Sequence, residues 1–194
     1  MNHDYSFLRR FEPVYAHERN LPHWRQAGVT YFVTFRTADS LPQTKVRLWA
    51  ERRAQWIERH PEPLDDAARQ EYAELFPIQI QRWLDNGYGA CTLDDPELRA
   101  IVEESLCYHD RKRYLLHQYV VAANHVHALV TPLPGYPLSK VVGAWKSFSA
   151  KRINERIGKR GVFWQQDSHD HIVRSPEDVS RICEYICGHR EAER

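Results

Sequence analysis

The chain has no run of about 18 consecutive apolar residues, the length a helix needs to cross a bilayer, so nothing in it reads as a membrane span. It also lacks any Cys-x-x-Cys pair. Its four cysteines, Cys91, Cys107, Cys183 and Cys187, show no framework spacing, which argues against a disulfide scaffold and suits free thiols in a reducing cytoplasm. There is no internal repeat and no low-complexity segment. The opening stretch, Met1 to Arg10, is polar and mixed in charge, unlike a secretory signal. What is present is 42% hydrophobic content over 194 residues, enough for one domain with a proper core.

The formal net charge of +1 hides an asymmetry. Residues 51–104 hold 13 acidic and 6 basic side chains, which leaves 13 acidic and 21 basic ones elsewhere. A basic body with an acidic insert suits a polyanionic partner that touches one side of the molecule. Ordinary scatter of charge is the competing explanation.

Along the chain, residues 1–27 show no periodicity and read as an arm. Val29 to Thr37 is rich in β-branched and aromatic residues and predicts a strand. Residues 43–60 and 66–86 read as helices separated by Pro61-Glu62-Pro63, the second with a stripe of Tyr72, Leu75, Phe76, Ile80, Trp83 and Leu84 and a kink or break at Pro77. Asp95-Pro96-Glu97 opens a helix over 96–109. Strands follow near 113–123 and 125–131, and then a helix over 139–158 with Val141, Val142, Trp145, Phe148 and Ile153 on its apolar side. A short strand near 169–174 precedes Ser175-Pro176-Glu177-Asp178, where a Ser N-cap, a proline and two acids start a last helix to about 188. The order β, helical region, ββ, α, β, α predicts an α+β fold. It fits a ferredoxin-like split βαβ unit with a central antiparallel sheet, helices on one face, a helical insertion over 43–90 and a terminal helix over 175–189.

The most informative segment is Tyr119 to Val130, two apolar strands around a turn at Asn124. Side chains alternate along a strand, so His125 and His127 share a face. Two neighbouring imidazoles on a buried strand make a platform for a divalent metal; a satisfied pair packed inside the sheet is the alternative. On the last helix Val179, Ile182, Cys183 and Ile186 form a stripe, and Tyr185 and His189 lie i, i+4 on its flank. Alone, Tyr185 reads as a rim tyrosine with a wet hydroxyl. Candidate phosphate contacts are Lys140, Lys146, Lys151, Arg152 and Arg156 on the long helix and Arg113 beside Arg111 and Lys112. Trp145 and Trp164 are candidate base-stacking groups, with core packing the alternative. Arg9, Arg10, Arg19 and Arg25 give the arm a basic character.

Taken together, these pieces resemble a known family. The residues that carry the likeness are Tyr31-Phe32-Val33-Thr34-Phe35-Arg36; Trp83-Leu84-Asp85 with Gly87, Gly89 and Cys91; Arg113-Tyr114; Asn124-His125-Val126-His127; Trp145-Lys146-Ser147-Phe148; Phe163-Trp164-Gln165; Asp170-His171-Ile172-Val173-Arg174; and Glu184-Tyr185-Ile186. The pattern resembles the single-tyrosine HUH nucleases, and more narrowly the REP-associated tyrosine transposases and their insertion-sequence relatives.

The resemblance implies an HUH endonuclease fold in a bacterial cytoplasmic protein, acting as a monomer or homodimer. It implies that His125 and His127 bind Mg²⁺ or Mn²⁺ and that Tyr185 attacks a phosphodiester of single-stranded or hairpin DNA, of the REP type, giving a 5′-phosphotyrosine and a free 3′-hydroxyl that permits strand transfer. The family usually reads Tyr-Ile-x-x-Asn-Pro at the third ligand; this chain reads Tyr185-Ile186-Cys187-Gly188-His189-Arg190. His189 therefore fills the ligand slot with a different donor. Gly188 is a candidate helix stop that would turn His189 away, with His169 and His171 as substitutes. Two other readings stay open: a DNA-hairpin-binding protein that no longer cuts, and a histidine-dyad phosphoesterase acting on nucleotides.

Overall fold

A computed structural model describes residues 5–9, 15–18, 22–41, 43–61, 66–76, 79, 83 and 87–192. The chain divides into two compact units, one of residues 1–38 with 92–194 and the other of residues 39–91.

In the first unit, β1 (Tyr15–Glu18) and β2 (Pro22–Arg25) form a two-stranded antiparallel sheet. The segment expected to be an irregular arm thus contains paired backbone. Four-residue strands without apolar alternation leave no periodic trace, because their pairing is a property of the backbone alone. The main sheet has four strands: β3 (Tyr31–Arg36), β4 (Tyr114–Val121), β5 (His125–Pro132) and β6 (His169–Ile172), in the order β4-β5-β3-β6 with every neighbouring pair antiparallel. With α3 (Pro96–Cys107) between β3 and β4 and α4 (Leu138–Ile157) between β5 and β6, this is the expected ferredoxin-like α+β arrangement. A last helix, α5 (Pro176–Ala192), follows β6.

The helices form from local signals. Asp95 caps α3 by accepting from Glu97 N at 2.8 Å, ahead of Pro96 in the first turn. Gly158 ends α4 in the left-handed region at φ 66°. At α5, Ser175 Oγ accepts from Asp178 N at 3.3 Å, and Glu177 and Asp178 lie in the first turn.

The two faces of the sheet carry separate cores. Val33, Phe35, Val126, Ala128 and Val130 pack with Val102 and Leu106 of α3 and with Val142 and Trp145 of α4. Phe32, Val120 and Leu129 pack instead with Val179, Ile182 and Ile186 of α5, joined by Tyr5 and Phe7. Helices therefore cover both faces, not one. The terminal helix cannot share the face that α3 and α4 already bury, and strand alternation supplies a second apolar set for it. Phe148, expected on the apolar side of α4, is 41% exposed, whereas Ser149 is fully buried. The buried stripe runs 138, 141, 142, 145, 149, 153, and Phe148 falls one position outside it.

The second unit holds α1 (Gln43–Arg59) and α2 (Asp66–Leu75). Trp49, Trp56, Tyr72 and Phe76 cluster there, with Trp56 and Tyr72 centroids 5.2 Å apart. Helix α2 ends just before Pro77, as a proline break requires. Leu75, expected on its apolar stripe, is 47% exposed; Ile80 and Leu84 lie outside the described residues.

Candidate metal and tyrosine site

The register of β3 on β5 sets Thr34 opposite His127 and Arg36 opposite His125. Both histidines face α5 and are almost wholly buried. Helix α5 runs on through Gly188 to Ala192, so His189 is not turned away and stays one turn beyond Tyr185. Gly188 is exposed and accommodates helical backbone; a glycine lowers helix stability without obliging a stop, and the buried Ile186 anchors this end of the helix.

Helix and strand thus bring four side chains together. One ligand atom from each of His125, His127 and His189 lies within 4.8 Å of the others, and this is the one such cluster of three or more candidate ligands among the described residues. The Tyr185 hydroxyl lies 2.8 Å from His189 Nε2 and 3.3 Å from His127 Nε2. His169 and His171 do not join this cluster. Their rings stand 6.3 Å apart, and His171 tilts against Phe32.

Each strand histidine is held through its other ring nitrogen. Asn124 Oδ1 can only accept, so His125 Nδ1, 2.8 Å away, carries the proton and leaves a lone pair on Nε2. Thr34 Oγ1 meets His127 Nδ1 at 2.8 Å, and Phe32 stacks on the His127 ring at 5.3 Å. Burial pushes the His127 imidazole well below its ordinary range, and the neighbouring His125, His189 and His169 push it the same way. A neutral imidazole is the ligating form. Three clustered imidazoles, two of them with outer hydrogen bonds, fit a divalent cation. The sequence reading missed Asn124 and Thr34 as orienting residues. Asn124 was visible beside His125, but the pairing of Thr34 with His127 depends on strand register.

Residues 85–189, more than half of the chain, match the family described as Transposase IS200 like. The chain belongs to this family. No curated protein matches it. Among solved structures, it is similar to a REP-associated tyrosine transposase bound to a REP hairpin, at 14% identity and a TM-score of 0.40 over 89% of this chain and 70% of that one. It is also similar to a protein of Deinococcus radiodurans R1 assigned as a transposase, at 16% identity and a TM-score of 0.35 over 85% of this chain and 93% of that one. The resemblance read from the sequence therefore holds at the level of the family.

The candidate phosphate contacts of this family member are dispersed. Lys140, Lys146, Lys151, Arg152 and Arg156 sit on α4, on the far side of the sheet from the histidines. Arg152 reaches Glu104 at 2.5 Å and Arg156 pairs with Glu97, both acids on α3. Lys146 Nζ donates to the Gln165 and Gln166 carbonyls at 2.6 and 2.7 Å, and burial lowers its pKa. Lys140 and Lys151 are exposed. Arg113 lies over the Tyr136 ring at 5.6 Å. Trp145 and Trp164 are buried, and their indole N–H groups donate to Tyr114 Oη at 2.8 Å and Ser149 Oγ at 2.9 Å, so both are core residues rather than stacking platforms. In the arm, Arg9 bonds Gln26 and Ala27; Arg10 and Arg19 lie outside the described residues. No helix among the described residues is long and apolar enough to cross a membrane.

Proposed function

We propose that this protein cleaves single-stranded DNA beside a hairpin, of the REP type, through a phosphotyrosine intermediate on Tyr185, and that the 3′-hydroxyl so freed permits strand transfer. The reading is supported by membership of a transposase family together with a tyrosine hydroxyl 2.8 Å from one imidazole and 3.3 Å from another of a three-histidine cluster. His125, His127 and His189 would hold a divalent cation, Mg²⁺ or Mn²⁺ on the family's pattern, which when bound polarises a phosphodiester oxygen and orients the phosphate.

The rest of the chemistry belongs to the chain's own groups. The Tyr185 oxygen forms a bond to phosphorus, the bond to the 3′ oxygen breaks, and that oxygen takes up a proton as the phenol gives one up. A free phenol has a pKa of about 10, so Tyr185 needs help to give up its proton; a cation held by the three histidines, two of whose ring nitrogens border the hydroxyl, would favour the phenolate. Phe32, edge-on to Tyr185 at 6.2 Å, holds the ring in place. Cleavage that keeps the phosphoester energy in the tyrosine link needs no nucleotide cofactor to reseal the strand. Exposed cations such as Lys140 and Lys151 would meet phosphates away from the cut.

The test is to incubate the protein with end-labelled hairpin DNA carrying single-stranded flanks and Mn²⁺, then to look on a denaturing gel. A protein–DNA adduct that disappears in Tyr185→Phe is expected. Hairpin binding with no adduct under any divalent metal would replace the enzyme with a binding protein, and nucleotide hydrolysis surviving Tyr185→Phe would point to a phosphoesterase.

A further inference from the structure

The donor set at the site is unusual for a hard cation. It offers three imidazole nitrogens, His125, His127 and His189, and no carboxylate. Magnesium takes oxygen ligands, keeps several waters and demands octahedral geometry. Neutral nitrogen ligands follow a different order, in which affinity rises from Mn²⁺ towards Cu²⁺ and stays high for Zn²⁺. The surroundings work in the same direction. His125 and His127 are almost wholly buried, and Phe32 stacks on His127, so these two imidazoles lie among protein groups rather than in bulk water. The Tyr185 oxygen, at 2.8 Å from His189 Nε2 and 3.3 Å from His127 Nε2, lies beside two of the three imidazoles. Three clustered nitrogens with one oxygen beside two of them supply the number of donors that zinc-like ions prefer.

We propose that His125, His127 and His189, closed by the Tyr185 oxygen, form a four-donor site that takes a borderline transition cation such as Mn²⁺, Co²⁺ or Zn²⁺ and discriminates against Mg²⁺. This rests on reading the cluster as a metal site, and it deepens that reading by naming the ion class and the fourth donor. In the absence of DNA, Tyr185 occupies the position that a phosphate oxygen takes when the substrate arrives, so metal and nucleophile are pre-assembled before the strand binds.

The test uses the full chain stripped with a chelator. Calorimetric titration with Zn²⁺, Co²⁺, Mn²⁺ and Mg²⁺ is expected to show each transition ion binding about tenfold or more tightly than Mg²⁺. In His189→Gln, where an amide oxygen replaces an imidazole at similar reach, that gap should narrow. The visible absorption of the Co²⁺ complex reports the donors directly: intense low-symmetry bands are expected, and Tyr185→Phe should shift them. Equal affinity for Mg²⁺ and the transition ions would overturn the proposal, as would a Co²⁺ spectrum unchanged by Tyr185→Phe. These outcomes are separable from the proposed function. A Tyr185-dependent adduct formed equally well with Mg²⁺ would leave the cleavage reading standing and remove the selectivity, whereas selective metal binding without any adduct would do the reverse.

Discussion

His125 and His127 can present lone pairs to one point only because something fixes their other nitrogens. Asn124 does this for His125 at 2.8 Å and Thr34 does it for His127 at 2.8 Å. Removing such a partner frees the ring to rotate and lowers its basicity, an effect of about 10- to 100-fold in metal affinity. Asn124→Ala should therefore weaken Mn²⁺ binding by that order in a calorimetric titration, while Tyr185 and the other two histidines stay in place; unchanged affinity would mean that His125 needs no support. The histidine pair was legible in the sequence because alternation along one strand is local. The support from Thr34 was not, because residues 34 and 127 meet through the register of β3 on β5. The ties of Lys146 to the Gln165 and Gln166 carbonyls were illegible too, since charge alone does not distinguish a phosphate contact from a clasp on the protein's own backbone.

Among the elements, α5 carries two members of the proposed site, Tyr185 and His189. Its start was readable from Ser175 to Asp178, since capping and dipole effects act within one turn. Its end, expected at about 188 with Gly188 as a candidate stop, lies at Ala192, because a glycine's cost in a helix is small enough for tertiary packing to override. Gly188 has a helical environment with nothing within 4 Å of a side-chain methyl built on it. Gly188→Ala should thus stabilise the fold by about 0.5–1 kcal/mol in urea unfolding. It should also leave the i, i+4 spacing of Tyr185 and His189 intact; a loss of stability would show that the backbone there departs from a helix. The basic residues of α4 illustrate the converse limit. Their helical spacing was visible, but which face of the sheet the helix covers is decided by packing, and Arg152 and Arg156 meet Glu104 and Glu97 on α3, across the sheet from the tyrosine.

At the scale of the whole molecule, burial of titratable rings couples stability to pH. His171 is pushed down to about 4 by burial, with His169 acting in the same direction, and His127 is also depressed. An unfolded histidine takes up a proton near pH 6.5, which the folded protein refuses until lower pH. Stability is therefore full above about pH 6.5 and falls as the pH drops towards 4. Urea midpoints measured with chelator across that window should decline, and His171→Leu should flatten the decline; an unaltered slope would place the linkage elsewhere. Chain topology supports one more prediction. Thr37 N donates to Asn124 O at 2.8 Å and Leu93 N donates to Ala123 O at 3.0 Å, so the chain leaves and re-enters the first unit at adjacent residues of one turn. A short connection can close that gap, since loop-closure cost rises only slowly with length. Replacing residues 39–91 with a brief glycine–serine linker should leave a soluble protein in which Mn²⁺ still raises the melting temperature, because β3, β5 and α5, which carry the histidines and tyrosine, all lie outside the excised stretch. An unfolded or metal-blind product would show that the sheet depends on residues 39–91 for its formation.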